Sequence, residues 1–173
     1  MLYRLRFAHM AIAAGAALAL SVPSHAIAQP ASNSVVLTSE AMVERSETDA
    51  SGKEKLVLKK PSDVIVVPGD RIIFTLRYVN NGAEPASGFR AVNPMPAPVQ
   101  FVSVTENWAE VSIDGGKSWG KLEQLKVATK SADGLTDIMR AAVAEDVTHV
   151  RWVFATPITP GSSGSVSYRG LIK

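Results

Sequence analysis

Glycoside hydrolysis needs two carboxyl groups at a set separation, one to give a proton and one to attack or to activate water. Glu106, Glu110, Asp114, Glu145 and Asp146 could supply such a pair if the fold gathers them. Serine acyl transfer needs a histidine base held by a carboxylate and aimed at the hydroxyl. The one histidine beyond residue 28 is His149, which by strand alternation lies opposite Val150, Trp152 and Phe154 and beside Arg151. That pattern predicts an exposed strand histidine. Gly161-Ser162-Ser163-Gly164-Ser165 misses the Gly-x-Ser-x-Gly elbow by one position and falls in a predicted turn rather than between strand and helix. With no cysteine and scattered acids, no spacing matches a zinc site or an EF-hand loop. The expectation is no catalytic residue, no metal and no cofactor.

The most ordered motif is Ser112-Ile113-Asp114-Gly115-Gly116-Lys117-Ser118-Trp119, which fits the S-x-D-x-G-x-x-W pattern of an Asp-box. That pattern is known from propeller blades of sialidases and related enzymes. The same residues suit a tight turn by themselves: Asp accepts turn amides, Gly supplies positive φ, and Trp folds back over the loop. A propeller needs at least about four blades of about 40 residues each, more than this chain can supply. Ser112, Asp114, Gly116 and Trp119 are therefore expected to be architecture.

Three tryptophans invite a different chemistry, since sugar faces stack on exposed aromatic rings. Trp152 alternates with Val150 and Phe154 and is assigned inward, and Trp119 belongs to the turn. Trp108, between Asn107 and Ala109 in a predicted loop, is the candidate contact residue.

The N-terminus sets the compartment. Arg4 and Arg6 precede an uncharged run from Met10 to Val22, 13 residues long, followed by Pro23 and by small residues at Ala26 and Ala28. This is the charge, hydrophobic core and A-x-A site of a secretory leader, with cleavage expected after Ala28 and Ala26 as the alternative. The run falls short of the roughly 20 apolar residues of a transmembrane helix. Removing residues 1–28 takes away two Arg and no acid, leaving 16 basic and 16 acidic residues, so no nucleic-acid footprint remains. The absence of cysteine also excludes disulfides and a lipidated N-terminus. Residues 29–173 are expected to form one domain.

Nearly every segment of that domain reads as strand. Val35–Val43 and Lys55–Leu58 flank a polar stretch, Glu44–Lys53, expected to be a loop or a wide hairpin. In Arg71–Val79, Ile72, Phe74, Leu76 and Tyr78 alternate with polar neighbours, the period of a half-buried strand. Val67-Pro68-Gly69-Asp70 introduces it as a type II turn, with Pro68 presetting φ and Gly69 supplying positive φ. Asn80-Asn81-Gly82 ends it, and a type I′ hairpin is expected, with positive φ at Asn81 and Gly82 and Pro85–Val92 returning antiparallel. Three prolines at positions 94, 96 and 98 predict a crossover between sheets, because each lacks an amide donor. Val99–Thr105 resumes strand, and Glu110–Lys126 is expected to be a hairpin turned at Asp114-Gly115-Gly116. In Lys130–Asp146, Ile138, Ala141, Ala142 and Glu145 allow a short helical turn. Val147–Ala155 and Ser165–Ile172 close the chain. Short strands with almost no helix predict an all-β antiparallel sandwich or barrel.

Val67-Pro68-Gly69-Asp70, the alternating strand, Asn80-Asn81-Gly82, Val99-Gln100-Phe101-Val102-Ser103 and Ile158-Thr159-Pro160-Gly161 before Ser165–Ile172 occur in the order of a known family. Over residues 60–173 the chain resembles the bacterial conserved-repeat Ig-like domain, domain of unknown function eleven, with residues 29–59 as an extra strand pair. The resemblance implies an antiparallel immunoglobulin-like β-sandwich. The family commonly has aspartate before the proline crossover, where this chain has Asn93. Family members often occur as tandem modules of long surface proteins, whereas a single copy is present here.

These readings lead to an exported, non-catalytic module of the bacterial cell envelope, periplasmic or extracellular, that touches an unidentified protein or glycan. A stable membrane span and a nucleic-acid partner are not expected. Two other classes stay open: an eight-stranded outer-membrane barrel, disfavoured by strands shorter than about 9–11 residues, and a secreted glycoside hydrolase built around residues 112–119.

Overall fold

A computed structural model describes residues 35–173. The predicted leader and its cleavage site lie outside the described residues. The strands are β1 (Val35–Thr48), β2 (Glu54–Lys59), β3 (Arg71–Asn80), β4 (Arg90–Pro94), β5 (Val99–Val104), β6 (Glu110–Ser112), β7 (Lys126–Lys130), β8 (Asp137–Ala141), β9 (His149–Val153) and β10 (Ser163–Ile172). Three-residue 3-10 turns occur at Pro61–Asp63, Leu122–Gln124 and Ala144–Asp146.

The strands form a five-stranded sheet in the order β2-β1-β3-β10-β5, a three-stranded sheet β4-β9-β6, and a separate pair β7-β8. All pairings are antiparallel. Both larger sheets have free edges, so the described residues form an all-β antiparallel sandwich and not a closed barrel. From β3 through β6 the chain changes sheet at every connection, and it does so again from β9 to β10. Antiparallel neighbours are thus mostly distant in sequence.

Alternation explains the core. Ile72, Phe74 and Leu76 of β3 and Val166 and Tyr168 of β10 meet Ala91 of β4, Val111 of β6 and Val150 and Trp152 of β9 across the sandwich. The rings of Phe74 and Tyr168 stack with centroids 4.8 Å apart. Trp152 is fully buried, as its place in the alternation predicts. Burying side chains of this size is worth about 1.5–3 kcal/mol each.

Several local expectations change. β1 runs to Thr48, and residues 43–48 pair with 59–54 of β2, so the polar stretch Glu44–Thr48 is strand and only the tip near Asp49–Lys53 turns. Its charges are held: Arg169 Nε donates to Glu44 at 3.0 Å, and Arg45 Nη2 donates to Asp70 at 2.7 Å. The type II turn forms as expected, with Gly69 at φ +92° and the Asp70 amide donating to the Val67 carbonyl at 3.1 Å.

The Asn81-Gly82 hairpin does not form. Neither residue has positive φ, and β4 pairs with β9 in the other sheet instead of returning along β3. Asn80 is the reason. Its buried amide donates to the carbonyls of Glu84 at 2.9 Å and Ile158 at 2.7 Å, while its oxygen accepts from the Gly82 amide at 2.9 Å. These bonds lead the chain away from β3 and tie it to the β9–β10 connection.

The crossover after β4 is as expected, with Pro94 at the end of an edge strand where its missing donor costs no ladder bond. Residues 130–146 contain the turn and second strand of the β7–β8 hairpin, which takes up Ile138 and Ala141, and then the 3-10 turn that contains Glu145. The expected hairpin over Glu110–Lys126 shrinks to β6 and a single bridge, Val111 with Gly120.

Candidate functional site

The Asp-box residues build one turn between β6 and Gly120. Ser112, at the end of β6, is fully buried, and its hydroxyl accepts from the Gly116 amide at 2.9 Å and donates to Asp114 at 2.7 Å. Asp114 also accepts from the Ser118 hydroxyl at 2.6 Å, the Ser118 amide at 2.9 Å and the Lys117 amide at 3.0 Å. The Ser118 hydroxyl first, then the Ser118 amide and the Ser112 hydroxyl, hold its carboxyl below the usual carboxylate range. Gly115 and Gly116 take φ of +76° and +87°. The carboxylate is saturated by its own turn.

Trp119 folds back over Gly116, where an added Cβ would stand 3.4 Å from the ring. The Arg151 guanidinium lies 4.3 Å from the Trp119 ring centroid, and His149 meets the ring edge-on at 6.2 Å. Arg151 in turn donates to Glu110 at 3.0 Å. His149 is half-buried and shares a 3.1 Å hydrogen bond with the Thr148 hydroxyl. The stack of Trp119, Arg151 and Glu110 on the outer side of the three-stranded sheet had no sequence signal beyond the i, i+2 spacing of His149 and Arg151.

The remaining acids are each engaged. Glu106 accepts from Trp152 Nε1 at 2.8 Å, Asp146 accepts two bonds of 2.6 Å from Arg140, and Glu145 accepts from Gln100 at 2.8 Å. Of the serines in the Gly161–Ser165 stretch, Ser162 donates its hydroxyl to the Thr159 carbonyl at 2.7 Å. Among the described residues no group of three His, Cys, Asp or Glu side chains could hold a metal ion. No described helix is long and apolar enough to cross a membrane.

Trp108 stands at one end of the sandwich, 42% exposed, with its ring edge-on to Phe154 at 5.2 Å. Phe154 meets Tyr78 at 4.9 Å and Phe89 at 5.3 Å. Tyr78, Trp108, Val153, Phe154 and Thr156 line an open cleft of about 460 Å³. Strand β3 and three separate connections bring these rings together, so sequence reading singled out Trp108 and not its neighbours. The expected turn residues Pro68 and Gly69 sit elsewhere, beside the C-terminus of β10, where the Gly69 amide donates to the Ile172 carbonyl at 2.8 Å.

No family model, curated protein or solved structure matches this chain. Its chemistry must therefore be read from its own side chains. Among them, the five candidate acids accept structural hydrogen bonds, and the aromatic cleft beside Trp108 stands apart from those acids.

Proposed function

We propose that this chain is a non-catalytic, exported module of the bacterial cell envelope, related to the conserved-repeat Ig-like domains, that acts by contact with a protein or glycan. One observation carries the reading. Glu106, Glu110, Asp114, Glu145 and Asp146, which could serve as a glycosidase pair, are each occupied by Trp152, Arg151, turn groups, Gln100 and Arg140 respectively. Those bonds support structural roles for the five acids. Contact chemistry has what it needs in Trp108 and the cleft beside it.

The test begins with fractionation of cells that express the full chain. The reading expects protein starting at Gln29 in the periplasm or medium, by intact mass, and no turnover of sialosides or other glycosides. Protein starting at Met1 in the membrane fraction would overturn the export argument. Glycoside turnover lost in Asp114→Ala with an unchanged melt would replace this reading with the hydrolase. Co-sedimentation with isolated cell-wall sacculi, weakened in Trp108→Ala at unchanged melting temperature, would place the contact on a glycan.

A further inference from the structure

Asn or Asp precedes Gly at Asn81-Gly82, Asp114-Gly115 and Asp133-Gly134. At such a bond the glycine nitrogen can attack the preceding side-chain Cγ and close a five-membered ring, and glycine hinders that approach least because it has no Cβ. The side chain must be free to turn towards the nitrogen, and Cγ must carry a group able to leave. Two of the three bonds fail on both counts. The Asp114 carboxylate is fixed by Ser112, Lys117 and Ser118, and the Gly115 amide donates to the Thr148 hydroxyl at 3.1 Å. Asp133 accepts from the Ser131 hydroxyl and from the Leu135 amide at 3.0 Å, and the Gly134 amide donates to the Ser131 carbonyl at 2.8 Å. Those bonds hold both acids as carboxylates, which lack a leaving group.

Asn81 differs from both. It is exposed and carries an amide, and among the described residues the side-chain hydrogen bonds of its tripeptide belong to Asn80. The other described asparagines are unsuited: Asn80 is fully buried and precedes Asn81, Asn93 precedes Pro94, which has no amide N–H, and Asn107 precedes the bulky Trp108. One contact opposes the reaction at Asn81. The Gly82 amide donates to Asn80 Oδ1 at 2.9 Å and must give up that proton to become a nucleophile. A single neutral hydrogen bond is worth about tenfold at most, so it slows the closure without preventing it.

We propose that Asn81 is a site of spontaneous covalent modification, at which the folded chain loses ammonia, and that the isoaspartate so formed loosens the anchor made by Asn80. Hydroxide takes the Gly82 amide proton, and the nitrogen attacks Asn81 Cγ. A Cγ–N bond forms as the Cγ–Nδ2 bond breaks, and Nδ2 takes a proton from water and leaves as ammonia. Water then opens the succinimide at either carbonyl, giving aspartate at position 81 or isoaspartate, in which the main chain runs through Cβ and Cγ. Both products add a negative charge. The isoaspartate also lengthens the main chain by one atom directly before Gly82, whose amide Asn80 holds. Asn80 ties the carbonyls of Glu84 and Ile158 as well, so the change falls on the contact that joins the β3–β4 and β9–β10 connections.

The experiment ages the folded protein, as purified, in water enriched in heavy oxygen, and then digests it with trypsin. The peptide Tyr78–Arg90, released by cleavage after Arg77 and Arg90, should gain a heavy oxygen at residue 81 and yield isoaspartate, both located by fragmentation. The rate should rise in proportion to hydroxide as pH is raised from neutrality. Asn81→Gln, whose ring would need a further member, should stay unmodified at unchanged melting temperature. Gly82→Ala should slow the reaction severalfold, and since φ at Gly82 is not positive, its backbone accepts alanine. Aged protein enriched in isoaspartate should melt below wild type, whereas Asn81→Asp should melt as wild type does. Heavy oxygen at Asn80 or Asn107 in place of Asn81, or uptake at Asn81 only after unfolding in urea, would overturn the assignment of the site. Equal melting of the isoaspartate form and Asn81→Asp would overturn the link to Asn80.

Discussion

Asn93 Nδ2 donates to the phenol oxygen of Tyr168 at 2.6 Å, joining β4 of the three-stranded sheet to β10 of the five-stranded sheet. Tyr168 is fully buried and stacked on Phe74, so its hydroxyl depends on this partner. The Asn93 amide supplies the donor here, which a carboxylate at this position would lack.

Removing either partner should have unequal effects. Asn93→Ala leaves a buried hydroxyl short of a bond and should cost about 1–3 kcal/mol in urea unfolding. Tyr168→Phe should cost less, because Asn93 is only half-buried and water can replace the phenol. Equal losses would show that the bond does not link the sheets in this way.

Asn80 should be the costlier residue of its tripeptide. Asn80→Ala removes three hydrogen bonds at a fully buried site and should destabilise by about 1–3 kcal/mol. Asn81→Ala, exposed and without positive φ, should stay within about 0.5 kcal/mol of wild type. A larger loss at Asn81 than at Asn80 would restore the hairpin reading.

Asp114→Ala and Trp119→Ala should both lower the melting temperature. The first frees the Lys117 and Ser118 amides, and the second uncovers Gly116 and removes the ring under Arg151. An unchanged melt in both variants would show that the turn holds without them.

Acid should unfold the protein through specific carboxylates. The Arg45 guanidinium, and next the Val67 amide, bring the Asp70 carboxyl down to about 2, whereas an unfolded aspartate titrates near about 3.9. Between those values the unfolded chain binds more protons, so the stabilisation is present above about pH 4 and is lost as pH falls through about 2. Asp114 acts in the same direction. Asp70→Asn should flatten the fall in urea midpoint on acidification. At the alkaline end, burial pushes the Tyr168 phenol up to about 12, so its contribution is lost as pH rises from about 10 towards that value.

Gly170 should resist substitution. It is buried in β10 at the register shift with β5, and an added Cβ would overlap Val99 Cγ1 and stand 3.1 Å from the Gln100 carbonyl oxygen. Gly170→Ala should cost about 1–3 kcal/mol in urea unfolding, as overpacking does. An unchanged midpoint would show that β5 moves freely against β10.

Local chemistry alone determined a good part of this protein. The alternation in Arg71–Val79 names the buried face of β3, Val150 and Trp152 do so for β9, and Val166 and Tyr168 do so for β10, because a strand's period is set by its own backbone. The turns at Pro68-Gly69 and Gly115-Gly116 were legible because their φ values need glycine whatever surrounds them. Sheet membership was decided only in three dimensions. Asn81-Gly82 carries a hairpin signal, yet the bonds from Asn80 to Glu84 and Ile158 outweigh it, and one of those partners lies 78 residues away. The polar run Glu44–Thr48 looked like loop because its ion-pair partners Asp70 and Arg169 are remote. The same reason hid the neighbours of Trp108: a period says which face is buried, and only the packed chain says which strands stand beside it and which edge is left unpaired.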